Sequence, residues 1–219
     1  MDLKLVIFDM DGVVFDSEKV YFEANKRAAD ELGMKNYTLD YYKQFLGAGT
    51  DEMLRKMALD YGNEELIKEF YRLSVKNVLP IVDAGGLKLK SGFLELTDYL
   101  RENKIQAVLA SSNYRKDIKY YLKKANITDR FSHIISADDV TKAKPAPDIF
   151  LKAWQKADAP AKSQTLVIED SKNGIKAANN AEIPVVMVPD ILEPTEYEKT
   201  HTIAIKPGLM DVKNLIAKN

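Results

Sequence analysis

Cysteine is absent from the 219 residues, which excludes disulfides and any thiolate metal site and fits a reducing compartment. Histidine occurs twice, at His133 and His201. Neither has a second histidine at ligand spacing, so both read as ordinary residues. No charge sign prevails: 32 basic against 33 acidic side chains leave a net charge of -1, and no global field draws in nucleic acid or an anionic membrane. No apolar run approaches the length of a membrane-spanning helix, and the N-terminus enters a strand without a basic segment and apolar stretch before it. The expectation is a cytoplasmic monomer with neither nucleic acid nor membrane as partner. Repeats and low-complexity segments are missing too. What is present is an apolar fraction of 46%, enough for a real core in one large or two modest domains.

The chain is organised around Leu3-Lys-Leu-Val-Ile-Phe-Asp-Met-Asp-Gly-Val-Val14. A short apolar run with Val and Ile, stopped by Asp-Gly, reads as a strand buried on both faces. Asp9 and Asp11 sit where it runs out. Two residues of extended chain span roughly 7 Å and return a side chain to the same face, so both carboxylates can look into one space. Asp11-Gly12 alone reads equally as a turn. A second buried strand ending in acids, Thr165-Leu-Val-Ile-Glu-Asp-Ser171, is hard to explain as turns.

Asp16-Ser17 can cap a helix whose apolar positions are Val20, Ala24, Ala28 and Leu32, with Gly33 as its stop. Helical patterns continue over Asp40 to Phe45, Asp51 to Tyr61 and Glu64 to Leu79, with breaks at Gly47-Ala-Gly49, Gly62-Asn63 and Pro80. Beyond Gly92 strands and helices alternate: strands near Ile105–Ala110, His133–Ser136, Thr165–Ile168, Ile183–Val188 and Thr202–Ile205, helices between them and from Leu209 on. That rhythm predicts an α/β fold, a parallel sheet covered on both faces, with the site at the carboxyl ends of the strands. Residues 1–15 and 91–219 form the core, and 16–90 are a helical insert. Trp154 reads as core, and the small residues of Gly174-Ile-Lys-Ala-Ala-Asn-Asn-Ala181 as close helix packing without a catalytic role.

At the strand ends stand Asp9 and Asp11, Ser111-Ser112, Lys144 in Lys-Pro-Ala-Pro, and Glu169-Asp170. Together they are the parts of phosphoryl transfer through an aspartyl phosphate. Carboxylates converging on a phosphate need a cation, and all-oxygen ligands suit Mg²⁺, assigned to Asp9, Asp170 and Glu169. Lys144 suits a side chain held near a nucleophilic carboxylate, and reads equally as an exposed loop lysine. Ser111 can donate to a phosphate oxygen or cap the helix before Tyr114. In this scheme Asp9 attacks phosphorus, while Asp11 protonates the departing oxygen and later takes a proton from water. That role calls for a carboxyl raised in pKa by acidic neighbours.

These residues, in this order, resemble the haloacid dehalogenase-like hydrolase superfamily. Asp9-Met-Asp-Gly-Val13 resembles its first motif and Ser111 its second; Lys144-Pro-Ala-Pro-Asp-Ile-Phe150 is similar to the third, and Ile168-Glu-Asp-Ser-Lys-Asn-Gly-Ile175 to the fourth. The resemblance implies a Rossmann-like core with an inserted helical cap that closes over the substrate. It also implies Mg²⁺ held by Asp9, the Asp11 main-chain oxygen, Glu169 and Asp170. The superfamily's dehalogenases lack the second aspartate, so Asp11 points to phosphate chemistry. Within the superfamily the chain is most similar to β-phosphoglucomutases and sugar-phosphate phosphatases. It departs from the mutases at Tyr21, where they have a histidine, and at Gly49-Thr50-Asp51, where they have an arginine for the distal phosphate.

The reading is a Mg²⁺-dependent phosphatase acting on a small phosphorylated metabolite, a sugar phosphate, with a phosphohexomutase of the same core chemistry as the alternative. A non-enzymatic phosphoacceptor also gathers carboxylates, Ser/Thr and Lys, but such receiver domains are far shorter, use a middle strand and carry no helical insert. A dead binding protein fits less well, since every motif residue is present. Substrate contacts are expected from Ser112 and, in the insert, from Tyr21, Gly47 and Lys76.

Overall fold

A computed structural model describes residues 2–46 and 50–218, and the chain divides into two compact units, residues 1–16 with 89–219, and residues 17–88. Strand β1 (Leu5–Phe8) opens the first unit, and the second consists of helices α1 (Ser17–Glu31), α2 (Leu39–Lys43), α3 (Thr50–Tyr61) and α4 (Glu64–Asp83). The first unit then resumes with α5 (Phe93–Glu102), β2 (Gln106–Ala110), α6 (Arg115–Lys124), β3 (His133–Ile135), α7 (Asp148–Lys156) and β4 (Thr165–Glu169). It ends with α8 (Lys172–Asn180), β5 (Val185–Met187), α9 (Glu196–His201), β6 (Ala204–Ile205) and α10 (Leu209–Ala217).

Among the described residues the six strands form one sheet in the order β3-β2-β1-β4-β5-β6, every pair parallel. The four residues of β1, Leu-Val-Ile-Phe, are wholly buried, as expected for apolar and β-branched residues in a strand with partners on both sides. Leu5 and Ile7 face one side, packing with Ile149, Phe150 and Ala153 of α7 and Ile175, Ala177 and Ala178 of α8. Phe8 faces the other, meeting the rings of Phe93 and Phe131 edge-on at 6.0 and 5.8 Å. Each such buried side chain contributes about 2 kcal/mol. The small residues of α8 do lie close on the sheet, and Trp154 packs against this core with its indole N–H on the Pro160 carbonyl.

The strand order reverses between β1 and β4. In a doubly wound sheet the crevice at the carboxyl ends opens at that point, so the topology alone puts the ends of β1 and β4 at the head of a cleft. The segments entering and leaving the insert are tied on the core side: Phe15 bridges Leu89 in antiparallel fashion, and Lys90 N–H donates to the Val14 carbonyl at 2.9 Å.

The helical unit has its own core, in which Ala28, Met34, Tyr37, Tyr42, Phe45, Met57, Ile67, Phe70 and Leu73 are buried together. Tyr21, half-buried on α1, packs against that cluster, and Lys76 is exposed on α4. Gly47, with the rest of the Gly47–Gly49 break, lies outside the described residues.

Two expectations about elements need correction. The break at Pro80 does not occur, and α4 runs through it to Asp83. The ring removes one N–H in the last turn, where burial of Ile81 and Val82 holds the backbone and Ala84 N–H returns to the Pro80 carbonyl at 3.1 Å. Helix α9 is absent from the sequence reading. Its signal was the pair Thr195 and Glu198, which form a capping box. Among the described residues no helix is long and apolar enough to cross a membrane.

Candidate active site

Register assembles the site. Phe8 lies opposite Ile168 of β4 and Leu109 of β2, so Asp9 and Glu169 leave adjacent strands side by side, with Ser111 one residue past the end of β2. Asp9, Glu169 and Asp170 each offer an oxygen within 4.8 Å of the others. Both acidic strand ends therefore meet in one place.

The chain after Asp9 does not stay extended, contrary to the expected two-residue span. It turns at once: Val14 and Phe15 N–H both return to the Met10 carbonyl at 2.9 and 3.0 Å. Gly12 sustains this turn with φ +73°, and a Cβ there would fall 2.2 Å from Asp170 Oδ2, so only glycine fits both the left-handed backbone and the approach. Asp11 turns its carboxylate to Asn113, whose Nδ2 donates to Oδ2 at 2.9 Å.

Lys144 is buried, with 8% of its side chain exposed, and donates to Asp9 Oδ1 at 2.5 Å and Glu169 Oε1 at 2.7 Å. Its ammonium lies 4.8 Å from the centre of the Phe150 ring, a cation–π contact. The loop is anchored where Asn180 Nδ2 donates to the Pro145 carbonyl at 2.9 Å. An exposed loop lysine does not describe this residue. Glu169 is saturated: besides Lys144 on Oε1, its Oε2 accepts from Asp170 N–H, Ser171 N–H and Ser171 Oγ at 2.8, 2.7 and 3.0 Å. These donors stand just ahead of α8, whose N-cap is Ser171 and whose N-terminus favours a carboxylate. A Cβ on Gly174 would lie 1.6 Å from Glu169 Oε1, so that glycine makes room for the carboxylate, which its reading as packing alone missed.

Ser111 is wholly buried, and its Oγ accepts from Asn113 N–H at 3.1 Å, which leaves the hydroxyl proton for another acceptor. It does not cap α6, whose N-cap is Tyr114. Ser112 beside it is exposed. His133 is exposed, and His201 stacks on Tyr197. Sequence reasoning gave no site role to Gly12, Asn113, Phe150, Gly174 and Asn180. Of these only the glycines carried a local signal, one in a turn and one in the first turn of a helix beside an acidic pair.

One ammonium serves two buried carboxylates. Burial pushes the Asp9 carboxyl up to about 8, with Glu169 and Asp11 adding to the push and Lys144 opposing it. Burial also works against the charge on Glu169, yet Lys144 and the Ser171 donors outweigh it and hold that carboxyl low. For Lys144 the desolvation is likewise outweighed, by Asp9 and Glu169, and its pKa is raised. Asp9 is the carboxylate left short of positive charge. A hard cation beside Asp9 and Asp170 would supply it, and the all-oxygen donor set fits such an ion.

A strand-end aspartate, a buried lysine and a carboxylate trio at the switch point of a parallel sheet define a class. The chain belongs to the haloacid dehalogenase-like hydrolases, whose family model matches residues 6–188, and within them it stands with phosphatases. It is 34% identical to a probable pseudouridine-5'-phosphatase of Drosophila melanogaster, over 94% of this chain and 90% of that one. It is 30% identical to the phosphorylated carbohydrates phosphatase of Thermotoga maritima, over 83% and 82%. A crystal structure from Thermotoga maritima, of a protein named provisionally as a beta-phosphoglucomutase, matches with a TM-score of 0.83 at 26% identity, over 99% of both chains.

Proposed function

We propose that this protein is a Mg²⁺-dependent phosphatase that hydrolyses a small phosphorylated metabolite, a sugar phosphate, through an aspartyl phosphate on Asp9. The observation that carries the reading is the pairing of Asp9 with buried Lys144, with oxygens of Glu169 and Asp170 within 4.8 Å. An Asp9 oxygen bonds to phosphorus as the bond to the leaving oxygen breaks, and Asp11 gives that oxygen its proton. Asp11 then takes a proton from the water that attacks phosphorus, and the bond to Asp9 breaks to release phosphate. Ser111 donates to a phosphate oxygen, and Lys144 offsets charge between nucleophile and phosphate.

Mg²⁺ would be held by Asp9, Asp170 and the Asp11 main-chain oxygen, with Glu169 adding charge, and would neutralise the anions that meet there. Residues 16–90 are read as the specificity insert, with Tyr21, Gly47 and Lys76 as its candidate substrate contacts and Ser112 as the candidate in the core unit. The names of the relatives support phosphorylated sugars or nucleosides as the substrate class.

The test is phosphate release from a panel of phosphorylated metabolites, with Mg²⁺ and with chelator, using wild type and Asp9→Asn. Release that needs both the cation and Asp9 is expected. Isomerised sugar phosphate with little free phosphate would point to the mutase instead.

A further inference from the structure

Asn113 is held at three points. Its N–H donates to Ser111 Oγ at 3.1 Å, its carbonyl accepts from Ala137 N–H at 3.0 Å, and its Nδ2 donates to Asp11 Oδ2 at 2.9 Å. One residue thereby ties the loops after β1, β2 and β3, and its side chain has little freedom to swing. An amide nitrogen only donates, so the Asn113 side chain grips Asp11 through Oδ2 and sets the direction in which the carboxyl group points.

We propose that Asn113 is the positioning residue for the acid/base carboxylate of Asp11, fixing the direction in which that carboxyl is presented to the leaving group. This rests on the acid/base reading of Asp11 given above. In the step concerned, the bond from phosphorus to the leaving oxygen breaks, its electron pair goes to that oxygen, and the proton of the Asp11 carboxyl moves there. Asn113 touches neither phosphorus nor the leaving group in this scheme. Its effect should scale with how much the leaving group needs a proton.

The experiment compares kcat/KM, which covers the steps up to the phosphoenzyme, for p-nitrophenyl phosphate and for phenyl phosphate. Nitrophenolate departs readily without a proton, and phenolate gains from one. Loss of a general acid typically costs 10²- to 10⁴-fold, and loss of its positioning should cost part of that. Asn113→Ala is expected to lower kcat/KM for phenyl phosphate about ten-fold more than for p-nitrophenyl phosphate, and Asp11→Asn to show the same bias more strongly. Should the alanine variant not fold, Asn113→Asp, of the same size but without the donor, carries the comparison.

If Asp11→Asn shows the bias and Asn113→Ala loses both esters equally or neither, Asn113 does not position the acid and the inference is overturned. If Asp11→Asn itself shows no bias, the acid/base reading fails first and takes this inference with it.

Discussion

Glu169 shows how much of the candidate site depends on contacts among its own side chains and backbone. Its carboxylate is wedged between Lys144, the amides of Asp170 and Ser171 ahead of α8, and the missing side chain of Gly174. A methyl at 174 cannot be met by swinging the carboxylate aside, because four donors pin it. Gly174→Ala is therefore expected to destabilise the protein by about 2 kcal/mol through overpacking, read as a lower denaturant midpoint, and to cut activity by displacing Lys144. A variant of wild-type stability and activity would show that the carboxylate has room to move. At this scale, the residues legible in the sequence were those that directly follow a buried strand or sit beside a proline: Asp9, Asp11, Ser111, Lys144, Glu169 and Asp170. Asn113 was not legible, because its meaning lies in a contact to Asp11 across 102 positions. No spacing rule reaches that far.

Elements were read well where period and punctuation agreed. The five strands foreseen after β1 are in the sheet, though β5 and β6 are shorter than expected, since only Val185–Met187 and Ala204–Ile205 pair with their neighbours. α4 was cut short at Pro80 because the proline signal is local and the burial that overrides it is not. Element connections also hold a pair that pattern could not show. Lys90, next to the bridge between Phe15 and Leu89, donates to Asp190 Oδ1 at 2.6 Å, and Asp190 follows β5 with only 8% of its side chain exposed. Asp190 Oδ2 is buried without a partner, so Lys90 is its main compensation. Lys90→Ala leaves a buried charge unmatched and should destabilise by about 3 kcal/mol, seen as a lower urea midpoint with an unchanged slope. A shift below roughly 0.5 kcal/mol would place the pair among surface ion pairs.

On the scale of the whole molecule, the site at the sheet's switch point makes stability depend on pH, and a cation bound beside Asp9 would tie that dependence to metal. The Asp9 carboxyl is raised to about 8 by burial, against about 3.9 for an unfolded aspartate. Between those values the folded state binds the extra proton, so Asp9 makes the metal-free protein less stable as pH rises through the window. Glu169 acts oppositely: held low, it contributes stability that is lost only on acidification below its unfolded value, outside the window. Because a cation competes with the Asp9 proton, Mg²⁺ should raise the melting temperature more at pH 8 than at pH 5.5. Calorimetry at both values checks this, and an equal rise at each would detach the cation from Asp9.

Whether the Asp9 carboxylate itself takes the phosphoryl group is read by trapping that group. The protein is mixed with a turned-over phosphate ester and Mg²⁺, quenched in acid within milliseconds, digested, and its peptides weighed and fragmented. A peptide heavier by one phosphoryl group is expected, with the added mass on Asp9, and none in Asp9→Asn. Steady turnover with no such peptide at any quench time, or with the phosphate on another residue, would contradict it.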